Sequence, residues 1–263
     1  MIILPAFNPY VFELTEGIGL RWYGLMYLLG FWLAWCLGKR RLHEVGLDVS
    51  QFSDLIAVVA LGIIVGGRIG YVLFYQWSQW VQEPWLVFML WRGGMSFHGA
   101  LVGGLAACIY FANTLSIRLF SLLDFVVVLL PPGLLLGRLG NFINGELWGR
   151  VSDMPWAMVF PHSDLLPRHP SQLYEMFGEG VLLYMLLSYH RRTAHADRGQ
   201  LAMWFVVHYA WIRFFIEFYR EPDSQLGFVW LDYFTMGQVL CLGMLLTGIL
   251  MLLWDRYNFS RQV

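Results

Sequence analysis

Residues 120–139 read FSLLDFVVVLLPPGLLLGRL, a run of twenty residues whose only charged side chains are Asp124 and Arg138. A helix needs about 20 mostly apolar residues to cross about 30 Å of hydrocarbon, so this run predicts a membrane span. Pro131 and Pro132 stand in its middle and remove two backbone donors, which predicts a bend or a break. A membrane tolerates such a break only where protein or a cavity satisfies the freed carbonyl groups. The run therefore indicates a membrane protein with an irregular helix at this position.

Six further apolar runs of similar length flank it. The predicted spans are 20–38, 54–75, 95–113, 120–139, 173–190, 200–219 and 236–254. The whole chain of 263 residues is 58% hydrophobic and 13% charged, whereas about a quarter of a soluble domain is charged. A chain of this size cannot bury so much apolar surface in one water-facing core. We therefore predict an all-α polytopic membrane protein, a single integral-membrane domain over 1–263 with seven transmembrane helices, and exclude a soluble enzyme and a disordered tail.

Several common classes of site and segment are not expected. The net charge of −1 offers no attraction for nucleic acid, so no nucleic-acid partner is expected. Cys36, Cys108 and Cys241 lie in apolar runs without paired spacing, which argues against a disulfide framework or a zinc site. The first 17 residues, MIILPAFNPYVFELTEG, have no basic region ahead of a cleavable run, so no removable signal peptide is expected. We interpret residues 1–18 as an interfacial segment.

Basic residues predict the orientation, because Lys and Arg are enriched in cytoplasmic loops. An external N-terminus places nine of the 17 basic residues on the inner side: Lys39, Arg40, Arg41, Arg118, Arg191, Arg192, Arg198, Arg256 and Arg261. The remaining eight are divided between the outer side and the spans. The raw split is nearly even, but the two blocks at 39–41 and 191–192 lie directly against helix ends on one side. We therefore predict that the N-terminus is outside and the C-terminus inside.

Four arginines lie in the outer halves or at the outer ends of spans: Arg68, Arg138, Arg213 and Arg220. A charge in hydrocarbon costs about 2.5–3.5 kcal/mol, so such residues face protein or water. Glu217 follows Arg213 by four residues and precedes Arg220 by three, which predicts one helical stripe in which it neutralises one of them. Snorkelling or helix pairing explains any single arginine, whereas four on one side favour a function.

Polar residues gather at the same side. After Arg138 the chain reads NFINGELWGR over 141–150, with two amides, a carboxylate and an arginine at a membrane–water junction. The candidate site residues at the outer ends of four spans are Tyr23, His98, Arg138, Asn141, Asn144, Glu146 and Arg220. A planar guanidinium matches the oxygens of a phosphate group, and the sequence has no Ser-His-Asp elbow, HExxH helix or P-loop. The residues alone predict a site for an anionic lipid and leave the reaction open.

The run GRLGNFINGELWG over 137–149 resembles the signature of the prolipoprotein diacylglyceryl transferase family. Further blocks resemble the family in the same order along nearly the whole chain: RWYGLMY at 21–27, GGRIGYVLFY at 66–75, GGMSFHG at 93–99, PRHPSQLYE at 167–175, EFYREPD at 217–223 and TMGQVL at 235–240. The central block is long and specific, which makes chance similarity negligible.

The resemblance implies a membrane transferase that moves the sn-1,2-diacylglyceryl group of phosphatidylglycerol to the lipobox cysteine thiol of a preprolipoprotein. A thioether forms and glycerol 1-phosphate leaves, with no metal or organic cofactor. The implied partners are phosphatidylglycerol, signal peptides with a lipobox cysteine, and the bilayer. The implied location is the bacterial inner membrane, with a periplasmic N-terminus and active site, a cytoplasmic C-terminus, and residues 140–172 as a periplasmic head region.

The same resemblance suggests roles for the candidate residues. Arg138 and Arg220 are expected to hold the phosphate and to stabilise charge on the leaving group. His98 is expected either to accept the thiol proton or to orient the head group. Asn141 and Glu146 are expected to orient Arg138 or to bind glycerol hydroxyls. The expected catalytic residues are His98, Arg138 and Arg220, and the expected substrate-binding residues are Arg138, Tyr23, Asn141, Asn144, Glu146 and Gly149.

Two other classes of protein are the alternatives. A transporter or flippase for an anionic solute also uses broken helices and intramembrane charges, but it needs access from both faces, and the polar groups here cluster on one. A seven-helix receptor is the second alternative, and it does not need so large a polar cluster for helix packing.

Overall fold

The computed structural model describes residues 2–15, 18–89, 94–161, 163–193, 198–222 and 227–260, with the side chains at 14, 15, 18, 97, 98, 259 and 260 excepted. These residues are mostly helical. The α-helices are α1 (Trp22–Lys39), α2 (Val49–Tyr75), α3 (Trp77–Gln82), α4 (Phe97–Thr114), α5 (Leu119–Val127), α6 (Leu130–Ile143), α7 (Ser171–Glu175), α8 (Leu183–His190), α9 (Gln200–Ile216) and α10 (Met236–Ser260). A π-helix over Met176–Leu182 joins α7 to α8, and 3-10 turns cover Leu42–Glu44 and Pro84–Phe88.

Each of the seven apolar runs contains helix, so the sequence predicted the positions of the long helices. By length and composition alone, Val49–Tyr75 and Met236–Asn258 are long and apolar enough to cross a membrane. The pair Leu119–Val127 and Leu130–Ile143 adds a third span if it is counted as one. Within the described ranges the structure thus supports two or three spans, and the remaining four or five stay a prediction.

The double proline has the predicted effect on the fourth run. Helix α5 ends at Val127, α6 begins at Leu130, and the two axes are bent by 43°. Pro131 and Pro132 occupy the first turn of α6, where a missing N–H removes no helical hydrogen bond. The prolines therefore start a new helix, and that helix carries Arg138.

Short strands complete the fold, and the all-α prediction did not include them. Strand β1 (Ile2–Ile3) pairs in parallel with β4 (Met158–Val159). Strands β2 (Tyr10–Thr15) and β3 (Ile18–Arg21) form an antiparallel pair that begins in the predicted interfacial segment 1–18 and extends into the start of the first predicted span. Strands β5 (Phe228–Trp230) and β6 (Phe234–Thr235) form a second antiparallel pair. Strands of two to six residues are too short to give a clear alternation of apolar and polar residues, so the sequence pattern does not reveal them.

The chain divides into two compact units, Gly38–Phe125 and the remainder, Met1–Leu37 with Val126–Val263. In the first unit α2 packs closely on α4: a Cβ added to Gly62 would lie 2.5 Å from the carbonyl oxygen of Gly103. Arg68 is buried in this unit and donates to the carbonyl oxygen of Leu86 at 2.5 Å. Arg68 therefore satisfies backbone carbonyls, which is a structural role.

The larger unit holds the polar cluster described below. Its apolar core joins the end of α5 to α8 and α9 through Val127, Val128, Leu183, Leu187, Leu201, Tyr209 and Ile212. Two glycines of the π-helix allow the close packing. A Cβ at Gly178 would lie 2.7 Å from the Cγ2 atom of Ile212 on α9, and one at Gly180 would lie 2.6 Å from the Cβ atom of Leu135 on α6. Glu179 lies between these glycines, so the packing brings its carboxylate to both helices.

Candidate active site

Arg138 on α6 is held by two buried carboxylates. Its Nε and Nη2 atoms donate to the Oε2 atom of Glu179 at 3.1 and 3.0 Å, and its Nη1 atom lies 3.2 Å from the Oε2 atom of Glu175. Both glutamate side chains are fully buried, whereas 20% of the Arg138 side chain is exposed. The paired carboxylates therefore fix the plane of a guanidinium that still reaches the surface of its unit.

Glu175 joins two further arginines to the same site. The Oε1 atom of Glu175 accepts from the Nη1 atom of Arg213 on α9 and from the Nη1 atom of Arg220 at 3.0 Å. The Nη2 atom of Arg213 lies 2.6 Å from the Oε2 atom of Glu217. We call these six residues the Arg–Glu cluster: Arg138, Glu175, Glu179, Arg213, Glu217 and Arg220.

The Arg–Glu cluster is electrically balanced, with three guanidinium groups and three carboxylates. Removal of one partner from a buried ion pair costs about 3–5 kcal/mol, so each buried charge of the cluster depends on its oppositely charged partners. Balance also means that the cluster attracts an anion only weakly from a distance. Binding of an anion therefore depends on directed hydrogen bonds from guanidinium groups with remaining donors.

Arg138 and Arg220 both have such donors. A guanidinium carries five N–H groups. Within the described residues, the contacts of Arg138 engage three of its five, and those of Arg220 engage one, with Glu175. Both arginines touch the same carboxylate, one at each oxygen, so the two guanidinium groups are neighbours. The structure thus brings together the two arginines that the sequence selected for a phosphate.

The sequence predicted part of this cluster. The pairing of Arg213 with Glu217 at a spacing of four is confirmed. The single helical stripe is wrong in its last member, because α9 ends at Ile216 and Arg220 follows in an isolated β-bridge with Gly149. Because Arg220 lies outside α9, its side chain does not follow the helical stripe and instead contacts Glu175 of another segment.

Glu175 and Glu179 were not selected from the sequence, although a signal was present. They are two carboxylates four residues apart in the apolar run 173–190. The rule applied to the arginines, that a charge in such a run needs a partner, applies equally to acids. The segment that carries Glu179 is a π-helix, a form that is rare in proteins and frequent at functional sites.

The signature segment after Arg138 forms a second polar group. Asn141 donates to the Oε1 atom of Glu146 at 2.9 Å, and Asn144 donates to the same atom at 3.4 Å. The backbone around Glu146 is fixed by two fully buried side chains of the next block. Gln172 donates to the carbonyl oxygen of Glu146 at 2.6 Å, and Ser171 donates to that of Leu147 at 3.0 Å. Arg138 is oriented by Glu175 and Glu179 instead, so this group remains a candidate for glycerol hydroxyls.

The other predicted residues of this unit lie around these two groups. Tyr23, at the start of α1, is hydrogen-bonded to Tyr27 at 3.0 Å, and a Cβ on Gly140 would lie 3.3 Å from its ring. Gly149 pairs with Arg220 in a β-bridge and donates to the carbonyl oxygen of His169 at 2.9 Å. A Cβ on Gly149 would overlap the carbonyl oxygen of Tyr219. Gly149 is therefore needed for close backbone approach, and it sets the position of Arg220.

His98 lies in the first turn of α4, where the Ser96 side chain caps the helix by accepting from the N–H of Gly99 at 3.3 Å. The side chain of His98 falls outside the described residues, so its role stays a prediction. Among the residues that the structure describes, no group of three or more His, Cys, Asp or Glu side chains is arranged to hold a metal ion.

Arg168 fixes the loop that follows the signature segment. Its Nε and Nη2 atoms donate to the two carboxylate oxygens of Asp164 at 3.0 and 2.8 Å. Its Nη1 atom donates to the Oε2 atom of Glu221 at 3.0 Å and to the carbonyl oxygen of Gly149 at 3.1 Å. The hydrogen bonds from Arg168 lower the pKa of Asp164. The contribution of this pair is therefore present above the unfolded-state pKa of Asp164 and is lost as pH falls through the lowered value.

We expect Arg168→Gln to release this loop at neutral pH, because one side chain holds two carboxylates and a carbonyl. Hydrogen exchange of the backbone amides over 151–166 should become at least about tenfold faster, since a local opening needs fewer contacts broken. Mass spectrometry of the purified protein measures this exchange. Arg192→Gln, at an exposed arginine, is the matched control. Equal protection of the loop in both variants would refute the role of Arg168.

A family model described as prolipoprotein diacylglyceryl transferase matches residues 9–254. A protein of Legionella pneumophila (strain Lens) is 48% identical over 251 residues, which cover 95% of this chain and 97% of that protein. Proteins of Methylococcus capsulatus and Pseudomonas paraeruginosa are 44% and 45% identical, over 96% and 97% of this chain and 97% and 96% of their own. All three are named phosphatidylglycerol–prolipoprotein diacylglyceryl transferase.

Proposed function

The chain belongs to the prolipoprotein diacylglyceryl transferase family, and we propose that the Arg–Glu cluster is where it carries out the family's reaction. The protein is a membrane transferase that moves the diacylglyceryl group of phosphatidylglycerol to a cysteine thiol of a prolipoprotein. A thioether forms, glycerol 1-phosphate leaves, and lipoprotein maturation begins. This activity decides against the transporter and receptor alternatives.

The main support for this site is the arrangement of Arg138 and Arg220 around Glu175. Arg138 and Arg220 bind opposite oxygens of the buried Glu175 carboxylate and keep N–H donors that have no partner within the described residues. Two adjacent guanidinium forks match the geometry of a phosphate diester and of the monoester that it becomes. We assign the phosphate of phosphatidylglycerol to these two side chains.

The negative charge that develops during the reaction explains why both Arg138 and Arg220 are needed. The sulfur–carbon bond forms as the carbon–oxygen bond to the phosphate breaks, so negative charge grows on the departing glycerol phosphate. Fixed donors that face this oxygen lower the barrier, because their orientation needs no change during the reaction. Glu175 and Glu179 hold the Arg138 guanidinium in place, which makes the donors fixed. We assign charge stabilisation to Arg138 first and to Arg220 second.

The remaining predicted residues receive supporting roles in this proposal. Asn141, Asn144 and Glu146 form one hydrogen-bonded group three to eight residues beyond Arg138, suited to the hydroxyls of the glycerol head group. Tyr23 lies against Gly140 and lines the site. His98 takes the thiol proton or orients the head group. The attacking thiol belongs to the peptide, and a free thiol of pKa about 8.5 is only slightly ionised at neutral pH, so a base is needed.

We further propose the arrangement in the membrane. The protein crosses the inner membrane seven times, its N-terminus and active site face the periplasm, and its C-terminus faces the cytoplasm. Helices at all seven predicted positions and the basic blocks at 39–41 and 191–192 support this topology. Residues 140–172 then form the periplasmic head region, within which Arg168 contacts Asp164 and the carbonyl oxygen of Gly149.

A reconstituted assay tests the function. Purified protein is mixed with phosphatidylglycerol and a lipobox peptide, and release of glycerol phosphate is measured together with the mass of the peptide. We expect stoichiometric release and a peptide heavier by one diacylglyceryl group. The control peptide has serine in place of the lipobox cysteine and should release none. Release that does not depend on the cysteine would contradict the transferase assignment.

A further inference from the structure

The block TMGQ, residues 235–238, forms a turn at the start of α10, which we call the TMGQ turn. The N–H of Gln238 donates to the Oγ1 atom of Thr235 at 3.3 Å, and the N–H of Thr235 donates to the Oε1 atom of Gln238 at 3.0 Å. This reciprocal pair is a capping box and satisfies the first turn of the helix. The Thr235 hydroxyl also donates to the Oε1 atom of Glu217 at 2.9 Å. The cap is therefore joined to the Arg–Glu cluster.

Gly237 gives a second, independent contact between this turn and Glu217. A Cβ at Gly237 would lie 2.9 Å from the Oε1 atom of Glu217 and 3.1 Å from its Cδ atom. The carboxylate thus rests against the backbone of the first turn of α10, where the helix dipole favours a negative charge. Gly243, two turns further along α10, has no atom within 4 Å of such a Cβ. A glycine is therefore required at position 237 in the turn, and no contact among the described residues requires one at position 243 later in the helix.

Glu217 connects the TMGQ turn to the other residues of the Arg–Glu cluster. Its Oε2 atom pairs with Arg213 at 2.6 Å, and Arg213 binds the same Glu175 oxygen that accepts from Arg220. Thr235 and Glu217 are almost fully buried, so water does not replace these contacts easily. We propose that the TMGQ turn is a positioning element for the transfer reaction. It holds Glu217, and through Arg213 it sets the position of the carboxylate that Arg138 and Arg220 share.

This inference rests on the proposed function of the Arg–Glu cluster, and paired glycine variants test it. Gly237→Ala should lower kcat by roughly 10- to 100-fold, because a small displacement of a reacting geometry has effects of that size. The KM for phosphatidylglycerol and for the lipobox peptide should change much less. Gly243→Ala, in the same helix, should keep wild-type kinetics. Thermal unfolding in detergent should give similar midpoints for the two variants.

A double-mutant cycle separates positioning from stability and remains informative if Gly237→Ala does not fold. Thr235→Val should lower kcat, and Thr235→Ser should keep it near the wild-type value. Thr247→Val should leave kcat unchanged, because among the described residues the Thr247 hydroxyl donates to Gly243 of its own helix. Adding Thr235→Val to Glu217→Ala should lower kcat no further, since Thr235 acts through the Glu217 carboxylate and Glu217→Ala removes that group.

Wild-type kcat in Gly237→Ala, or additive losses in the cycle, would overturn the positioning role. The proposed function is tested separately by Arg138→Lys. If that variant is inactive while the TMGQ variants are normal, only the positioning role fails. If Arg138→Lys is fully active, the site assignment itself fails.

Discussion

Arg138→Lys is expected to lower kcat/KM for diacylglyceryl transfer by about a thousandfold. Lysine keeps the positive charge, but its ammonium group cannot donate in a plane to Glu179 and Glu175 and to a phosphate at the same time. Loss of one fixed donor to a developing oxyanion lowers kcat by about 10²–10³-fold in well-studied enzymes, and the misplaced Glu179 adds to the loss. Steady-state release of glycerol phosphate measures the effect.

Arg118→Lys is the matched control for this variant. Arg118 is exposed and lies 20 positions earlier in the chain, so the conservative exchange should leave both kcat and KM unchanged. Full activity in Arg138→Lys would remove bidentate phosphate binding from the account. A charge at this position would then be sufficient, and the planar fork would have no role.

Glu175→Gln is expected to give the largest combined loss of stability and activity. The exchange keeps the volume of the side chain but leaves three guanidinium groups with two carboxylates in a buried site. Removal of one partner from a buried ion pair costs about 3–5 kcal/mol, because the other charge is left without compensation. With its shared oxygen acceptor neutral, the pair Arg138 and Arg220 loses its fixed spacing, so kcat should fall by about 100-fold.

Chemical unfolding and steady-state kinetics of the same preparation measure both effects. Glu83→Gln is the control, since Glu83 is exposed and lies in the other unit. Substitutions of exposed side chains usually change stability by about 0.5 kcal/mol or less, so this variant should be close to wild type in both measurements. Equal stability of the two variants would show that Glu175 does not carry the compensating charge.

The sequence predicted the helices well because their signal is strong. Seven apolar runs of about 20 residues each contain helix, and Pro131 and Pro132 mark the bend between α5 and α6. The short strands gave no comparable signal, because two to six residues are fewer than a pattern of alternation needs.

The site was predicted in part for a similar physical reason. Arg138 and Arg220 stood out because cations on the predicted outer side oppose the usual charge bias of membrane proteins. Acids have no such bias, so Glu175 and Glu179 were not recognised as their partners. Which charges meet depends on packing between α6, the π-helix and α9, and above all on Gly178 and Gly180. Sequence spacing describes neighbours on one helix and not contacts between helices.

The most direct test of the site is a crystal or electron-microscopy structure of the wild-type enzyme with phosphatidylglycerol and a lipobox peptide. Serine replaces the reacting cysteine of the peptide, so that no transfer occurs. We predict that the lipid phosphate lies at hydrogen-bond distance, about 2.7–2.9 Å, from guanidinium nitrogens of Arg138 and Arg220. A phosphate bound elsewhere, with the Arg–Glu cluster unchanged and in contact with no lipid, would contradict the account.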